Sequence, residues 1–584
     1  MTNINVSVLN GRNGFLIQGV SPDGRLGDAV SSAGDINGDG LADILVGARD
    51  VDITGSNNEG QVSIIFGSNE DFASRVAVSD LDESSGFNIN GISDQQRLGD
   101  AVSNAGDING DGTDDLIIGA DGTANNRGSS YVVFGNPSIG SGVDLNALDG
   151  TNGFIVNGIS EGDRLGGAVS DAGDLNGDGI ADVVIGANFV DANGIEDAGA
   201  SYVIFGRDGG GFTENIDLTT LDGTNGLVIN GISPDDFSGF SVSSAGDLNG
   251  DGVDDLLIGA NRADPNAGEN AGTTYVVFGQ AGGFAAGELD LANLGSNGIT
   301  IDGVAAGDSS GASISALGDV NGDGRNDIGI GAPVADVGND NAGQGYVVFG
   351  TENGFPETSL SLSSLDGSNG FTVNGVGVDD QLGTSISAAG DMNNDGVDDF
   401  VVSAVGTGNN RGTSYVVFGQ ESGEAFAPTL NLADLNINQG FAIDGITGSQ
   451  DLTIADRSGE SVSNLGDVNG DGLDDLLVGA PQANNFPVGQ SDAIRDAGEA
   501  YVVFGRIENL GDVDNDGAYT NADAYGISRA AAGLITEFQA YEGIDPLLVA
   551  DVNSDGVISA LDSAIVYSAA NDGTSNFILP DING

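Results

Sequence analysis

The sequence predicts a mainly β protein: a seven-bladed β-propeller with four antiparallel strands in each blade, followed by a small α-helical domain. The main observation is a phrase of the form Leu-Gly-x-Ala-Val-Ser-x-Ala-Gly-Asp-x-Asn-Gly-Asp-Gly-x-x-Asp that occurs seven times. Its first Asp is Asp35, Asp107, Asp174, Asp247, Asp319, Asp391 and Asp467. The copies start about 70 residues apart, which suits one blade with its loops. We therefore expect a propeller over residues 1–508 and a second domain over 509–584.

Each copy contains four segments with the character of β-strands. The first, such as residues 26–33, is rich in Gly, Ala and Ser, and small side chains suit strands crowded around an axis. The second is an apolar run after the Asp-rich loop, such as residues 255–260. The third reads Tyr-Val-Val-Phe-Gly or a close variant. The fourth alternates as Gly-Phe-x-Ile-x-Gly, like a half-exposed outer strand. It begins at Gly14, Gly86, Gly153, Gly226, Gly298, Gly370 and Gly440.

The order of these segments predicts how the ring closes. A fourth-strand phrase precedes the first copy at residues 14–19, and none follows the last third strand at residues 501–505. If the N-terminal strand completes the last blade, each of the seven blades has one fourth strand. No third strand is then left unpaired at the edge of its sheet. We therefore expect the two ends of the repeat region to meet in one blade.

The composition restricts the function of the chain. Lys and Arg together number 15 against 88 Asp and Glu, a formal charge of −73. This excludes nucleic-acid binding, which needs cations on the phosphates. The chain has no Cys and no His, which excludes disulfides, thiolate metal sites and a Ser-His-Asp triad. The remaining metal ligands are hard oxygens, which favour calcium or magnesium.

The loop of every repeat has Asp at position 1, Asn at 3, Asp at 5, Gly at 6 and Asp at 9. Calcium takes several oxygens at about 2.3–2.6 Å, so alternate residues must face inward around a tight turn, and position 7 offers its backbone carbonyl. Turn formation alone explains such residues in a single loop, but seven complete sets favour calcium in a structural role. The predicted ligands are Asp35, Asn37, Asp39, Leu41, Asp43; Asp107, Asn109, Asp111, Thr113, Asp115; Asp174, Asn176, Asp178, Ile180, Asp182; Asp247, Asn249, Asp251, Val253, Asp255; Asp319, Asn321, Asp323, Arg325, Asp327; Asp391, Asn393, Asp395, Val397, Asp399; Asp467, Asn469, Asp471, Leu473 and Asp475.

A Phe-Gly pair ends the third segment of every copy, and Gly-Ala-Pro turns occur at residues 331–333 and 479–481. These features resemble the FG-GAP repeats of the integrin α-subunit propeller, over about residues 10–506. Copy six departs from the pattern with Ser403-Ala-Val405. The resemblance implies calcium bound in β-hairpin loops, up to seven ions in the propeller.

After the propeller, two 12-residue segments follow the EF-hand loop pattern with Asp in place of the final Glu. Their predicted ligands are Asp512, Asp514, Asp516, Ala518, Thr520, Asp523; Asp551, Asn553, Asp555, Val557, Ser559 and Asp562. A helix is predicted after each loop, and two such units resemble a type I dockerin over about residues 510–572. The resemblance implies two further calcium ions and a cohesin-like partner. The alternative is an autonomous calcium-folded cap that packs against the propeller.

Two classes of function remain open. The first is an extracellular adhesion, protein-interaction or scaffold protein with a protein or glycan ligand on the propeller face. The second is a dockerin-bearing carbohydrate-active enzyme, such as a glycoside hydrolase, or a polysaccharide-binding lectin. A glycosidase needs two suitably separated carboxylates, and the sequence does not choose among its candidates. These are Asp163, Asp235, Asp236, Asp308, Asp379 and Asp380. No catalytic residue and no organic cofactor is predicted.

The expected location is outside the cell or at its surface. Nine calcium sites require the calcium concentrations of extracellular fluids. No apolar stretch approaches the ~20 residues of a membrane-spanning helix. The N-terminus shows neither the basic nor the apolar region of a Sec signal peptide, so the expected export is leaderless, or the start of the gene is missing. The oligomeric state stays open.

Overall fold

The computed structural model describes residues 3–505, except for residues 54–56, 339, 352–353, 356–357, 421–425, 437–438, 447–455 and 485–493. The strands form seven sheets arranged as a seven-bladed β-propeller, which confirms the predicted fold class. The predicted second domain, residues 509–584, and its two calcium loops lie outside the described residues. In the part of the chain that is described, no helix is both long and apolar enough to cross a membrane.

Each blade contains four antiparallel strands, numbered here from the axis outward, and each blade takes the number of the repeat that supplies its first strand. The first strands are Val30–Gly34, Val102–Gly106, Ala168–Gly173, Ser241–Gly246, Ser313–Gly318, Leu382–Gly390 and Val462–Gly466. The second strands are Asp43–Ala48, Asp115–Ala120, Asp182–Ala187, Asp255–Ala260, Asp327–Ala332, Asp399–Ala404 and Asp475–Ala480. The third strands are Gln61–Ile65, Ser129–Val133, Ala200–Ile204, Thr273–Val277, Gln344–Val348, Thr413–Val417 and Glu499–Val503. The fourth strands are Gly86–Asn90, Gly153–Asn157, Gly226–Asn230, Gly298–Asp302, Gly370–Asn374, Gly440–Asp444 and, in blade 7, Gly14–Gln18.

The hydrophobic core lies between the blades. The first strands contact one another in sequence around the axis, where their small residues permit close packing. The second strands are buried along their whole length, which explains why they read as continuous apolar runs. Seven hydrophobic clusters form, each shared by two neighbouring blades. Apolar burial, the dominant stabilising term in folding, therefore holds each blade to the next.

The ring closes as predicted. The N-terminal strand Gly14–Gln18 pairs antiparallel with Glu499–Val503, and Leu16 lies opposite Tyr501. Gly14 starts this strand at a φ of 128°, with the carbonyl oxygen of Val502 where a Cβ would stand. Only glycine fits such a position without strain. The strand closes the hydrogen-bonded edge that the last repeat would otherwise expose.

A fifth, short outer strand was not predicted. It pairs parallel to the fourth strand in blades 2 to 7. These strands are Asn215–Ile216, Glu288–Asp290, Ser359–Ser361, Thr429–Asn431, Asn3–Asn5 and Arg75–Ala77. Each belongs to the chain that leads into the fourth strand of the following blade, so successive blades are linked by backbone hydrogen bonds as well as by packing.

Short helical turns complete the fold. Seven of them follow the fifth strands or the equivalent chain of blade 1: Val6–Val8, Val78–Asp80, Leu145–Ala147, Leu218–Thr220, Leu291–Asn293, Leu362–Ser364 and Leu432–Asp434. The others are Ile139–Ser141, Ala192–Gly194, Thr123–Asn126 and Thr407–Asn410. Apolar residues in the seven turns, such as Leu145 and Leu218, are buried. The recurrent Leu-x-x-Leu pattern at these turns is the sequence signal that would have located the fifth strand.

Candidate metal centres

The seven Asp-rich loops lie on one face of the propeller, because each joins the end of a first strand to the start of a second strand. In blade 1, Asp35 directly follows the first strand and Asp43 begins the second. Strand direction places the other connections, from second to third strand and from fourth strand to the next blade, on the other side. We call these two surfaces the Asp-loop face and the opposite face.

The Asp at position 9 is the fixed centre of each loop. Asp43 is completely buried. Its Oδ1 accepts the N–H of Gly67 at 2.8 Å and its Oδ2 accepts the N–H of Ile36 at 3.2 Å. Gly67 belongs to the Phe-Gly pair, so the pair and the Asp loop form one hydrogen-bonded unit. The same two bonds occur at Asp115, Asp182, Asp255, Asp327, Asp399 and Asp475.

In blades 1 and 2 the Phe of the pair anchors this unit. Phe66 packs on Phe87, and Phe134 on Phe154, with ring centroids 6.0 Å apart in both blades. In each case the second ring belongs to the fourth strand of the same blade. The aromatic contact holds the end of the third strand beside the fourth, so the following Gly lies where its N–H reaches the buried carboxylate.

The carboxylates at positions 1 and 5 organise the turn. Oδ1 of Asp35 accepts the N–H of Asp39 at 2.9 Å, and its Oδ2 accepts that of Gly40 at 2.8 Å. Oδ1 of Asp39 accepts the N–H of Leu41 at 3.0 Å. Equivalent bonds occur in the six other loops. The three carboxylates of a loop are therefore placed by its own backbone.

The position-3 Asn differs from its predicted orientation in most loops. Nδ2 of Asn37 lies 3.4 Å from Oδ1 of Asp43 and donates to it. The equivalent bond forms in blades 2 to 5 and 7. As a calcium ligand, the Asn would direct its amide oxygen Oδ1 toward the ion instead. Rotating the amide group by half a turn exchanges the positions of Oδ1 and Nδ2. An amide N–H directed at a buried carboxylate partly compensates its negative charge.

The chemistry of the loops fits calcium. Burial is the main cause that raises the pKa of Asp43 to about 8, and the charges of Asp39 and Asp35 add to it. In the six remaining blades the pKa of the position-9 Asp is raised to about 8 for the same reasons. Three carboxylates thus repel one another across each loop, and a divalent cation between them would reverse that repulsion. No three acidic side chains of the described residues are gathered closely enough to hold an ion, so calcium binding stays a prediction.

Adjacent loops are connected by an unpredicted contact. Oδ2 of Asp114, at position 8 of the blade 2 loop, accepts the N–H of Asp35 in blade 1 at 2.8 Å. Asp254, Asp398 and Asp474 make the same bond to Asp174, Asp319 and Asp391. The other three interfaces have Ala42, Ala181 or Asn326 at this position. Gly34 permits the approach, because a Cβ there would collide with the carboxylate of Asp114.

We expect Gly34→Ala to destabilise the protein more than Gly40→Ala. Both glycines have a left-handed backbone, with φ of 63° and 91°, which costs an alanine about 1–2 kcal/mol. Nothing lies within 4 Å of a Cβ at Gly40, so only Gly34→Ala adds a collision, worth about 1–3 kcal/mol. Urea denaturation measures both. The Cβ of Asp114 also lies 2.6 Å from the added Cβ, so the matched background is Asp114→Gly. Gly34→Ala should lose the extra cost in that background, and an equal loss in both backgrounds would contradict the collision.

The glycosidase candidates lie on the opposite face, and four of them cap loops there: Asp163, Asp236, Asp308 and Asp380. Oδ2 of Asp163 accepts the N–H of Ser160 at 2.7 Å, and Asp308 and Asp380 make the equivalent bond to the residue three positions earlier. Burial raises the pKa of all three carboxyl groups, and of Asp236. These four carboxyl groups occupy equivalent positions in successive blades. Their hydrogen bonds therefore explain their recurrence, because each one supports a loop.

Comparison with known proteins agrees with the repeat pattern. Residues 26–65, 98–133, 166–204, 238–277, 310–348 and 458–503 match the FG-GAP repeat family. The sixth copy, which contains Asn394 and Ser403, is not among the matched segments.

Curated relatives match parts of the same region. Integrin alpha-5 of Xenopus laevis is 30% identical over 241 residues, which are 40% of this chain and 20% of the relative. Phosphatidylinositol-glycan-specific phospholipase D of Homo sapiens is 33% identical over 189 residues, 31% of this chain and 20% of the relative. Integrin alpha pat-2 of Caenorhabditis elegans is 30% identical over 234 residues, 39% of this chain and 17% of the relative. The chain thus spans about a fifth of the length of these relatives, and six of the seven repeats of its propeller are similar to FG-GAP repeats.

Proposed function

We propose that this chain is a calcium-binding interaction protein that acts outside the cell, with calcium rigidifying the blades and a ligand bound on the propeller surface. The observation that carries the calcium assignment is the buried position-9 carboxylate, repeated in seven loops and facing two further carboxylates in each. A protein with a formal charge of −73 gains from bound cations at such points. Extracellular calcium concentrations saturate even weak sites, which supports an extracellular location.

The interaction role rests on the propeller itself. One relative is an integrin subunit and another a phospholipase, so similarity to these relatives does not point to one common activity. A rigid ring with long loops on one face is suited to recognition, because loops on a stable scaffold position binding residues. Three of the candidate catalytic carboxylates, Asp163, Asp308 and Asp380, accept N–H groups of their own loops, which favours binding over hydrolysis.

Counting bound ions tests the calcium assignment. The full chain, passed through a desalting column in calcium buffer and analysed by elemental mass spectrometry, is expected to retain calcium at its predicted sites. Asp182→Asn should remove about one ion per chain, because it replaces a buried charged ligand of blade 3 with a neutral one. The control is Asp149→Asn, which changes a fully exposed carboxylate that caps a turn through Thr151. A wild-type chain without calcium, or the same ion count in Asp182→Asn, would contradict the assignment.

The interaction role has its own test. The full chain is incubated with a glycan array and with polysaccharide substrates, and both binding and released products are measured. Release of sugar products would overturn the interaction role in favour of an enzyme. Glycan binding without products would identify the ligand as a polysaccharide.

A further inference from the structure

The opposite face carries all the exposed large hydrophobic side chains found among the described residues. They are Val20, Ile92, Ile159, Phe240, Val304, Val334, Val376 and Val378, between 37% and 58% exposed. Each of these residues follows a second or fourth strand or precedes a first strand. The second and fourth strands end on the opposite face, and the first strands begin there. Single exposed apolar residues are ordinary on a protein surface. Among the described residues they are confined to one face, so that face offers apolar contact points that the Asp-loop face lacks.

A cavity of about 620 Å³ opens on the same face beside the axis. One side of it is acidic, and each carboxylate there already has an arginine partner. Arg49 bridges Asp28 and Asp100, at 2.5 and 2.8 Å. Farther out, Arg97 lies 3.7 Å from Asp121, and Arg457 pairs with Glu460 at 2.6 Å. The four carboxylates of this acidic side therefore share three arginines within the protein.

The other side of the cavity carries two arginines without such partners. The guanidinium carbon of Arg164 lies 4.7 Å from the ring centroid of Phe189, and that of Arg262 lies 4.7 Å from the ring centroid of Phe237. The two phenylalanine rings contact each other, with centroids 4.8 Å apart. We call these four residues the Arg–Phe ladder. It joins blade 3 to blade 4.

Neither ladder guanidinium forms an ion pair or a hydrogen bond with any residue of the described part of the chain. This is unusual in a chain with 88 acidic and 15 basic residues, where a carboxylate partner is the normal expectation. Stacking on a ring holds a guanidinium in place while leaving its N–H groups free in its own plane. That geometry is suited to binding a carboxylate through two parallel hydrogen bonds.

We propose that the opposite face docks a protein segment whose single acidic side chain enters this cavity and binds Arg164 and Arg262. The inference rests on the proposed interaction function and names the partner's chemistry. Phe240 lines the cavity and the other exposed Val and Ile residues lie on the same face, which favours apolar neighbours on that segment. Other carboxylates on the same face, such as Asp23, Asp94 and Asp235, repel a run of acidic residues. The complementary segment therefore has one Asp or Glu between apolar residues.

Selection from a displayed library of random peptides tests this. Peptides are selected on the full-length calcium-loaded protein, and their affinities are measured by fluorescence polarisation with the wild-type protein and two variants. Arg164→Gln and Arg262→Gln together are expected to weaken binding at least tenfold, because each removes a charge-assisted hydrogen bond. Arg207→Gln is the matched control, since Arg207 also stacks on a ring, 5.0 Å from the centroid of Phe212, but on the Asp-loop face. It should leave binding unchanged.

The selected sequences give a second readout. They are expected to share one Asp or Glu between apolar residues, and changing it to Asn or Gln should weaken binding to the same degree. Selected peptides that lack an acid, or that bind the double variant equally well, would overturn the inference while leaving the interaction function intact. A third result would also overturn the inference: no peptide is selected, and the wild-type protein binds glucuronate but the double variant does not. That result would assign the Arg–Phe ladder to an acidic sugar. Equal melting temperatures of the variants exclude misfolding as the cause of lost binding.

Discussion

Removing calcium is expected to lower the melting temperature of the propeller by roughly 15–20 °C. A ligand present at ~100 times its Kd stabilises the folded state by about 2.7 kcal/mol per site, and seven sites add to roughly 19 kcal/mol. The entropy of unfolding for a body of ~500 residues is on the order of 1 kcal/mol/K. Differential scanning calorimetry in calcium and in excess EGTA measures the difference. Restoring calcium should restore the melting temperature, and equal melting temperatures in the two buffers would contradict structural calcium.

The pKa shifts give the calcium-free form a characteristic pH dependence. The position-9 Asp residues have an ordinary pKa of 3.8 and a pKa raised to about 8 in the folded chain. The folded state then holds protons that the unfolded state has lost, so stability is greatest below the ordinary value and falls as pH rises toward 8. In EGTA, the protein should melt at a higher temperature at pH 6 than at pH 8. Calcium should remove or reverse this slope, because it binds the deprotonated carboxylates.

Deleting residues 1–20 is expected to destabilise the ring strongly. The deletion removes the fourth strand of blade 7, whose Phe15 and Ile17 are completely buried, and the fifth strand of blade 6. Phe15 stacks on Phe72 of the next repeat, with centroids 4.4 Å apart, and contacts Phe504 at 6.0 Å. Burial of each such side chain contributes about 1.5–3 kcal/mol, and the deletion also unpairs a whole strand edge. We expect a fall in melting temperature above about 10 °C and self-association through the exposed Glu499–Val503 edge.

Two point variants separate the loss of packing from a general effect of truncation. Phe15→Ala, which empties a buried site, should cost about 3–5 kcal/mol. Val20→Ala, at a position 37% exposed, should change stability little. Urea denaturation measures these differences, and size-exclusion chromatography shows whether the truncated chain self-associates. A truncated chain that stays monomeric and melts like the full protein would mean that the ring does not depend on this closure.

The candidate metal site in each Asp-rich loop was predictable from the sequence in part. Spacing alone placed Asp35, Asp39 and Asp43 in one loop between two strands, because Asp, Asn and Gly at fixed offsets specify a turn locally. Spacing did not reveal that Asp43 is buried against the amide of Gly67, a bond that depends on the third strand lying beside the second. The contact of Asp114 with the neighbouring loop was also missed, since it joins residues 79 positions apart through the packing of two blades.

The number of blades, their four antiparallel strands and the closure by Gly14–Gln18 were determined by the sequence alone. These features follow from a repeated local pattern and from counting its pieces, and each repeat pairs its strands through short connections. The fifth strands, the seven shared cores and the Arg–Phe ladder were decided only by the tertiary structure. Arg164 and Arg262 are far apart in the chain and belong to different repeats. Only the closed ring, which sets neighbouring blades side by side around one axis, brings their guanidinium groups into the same cavity.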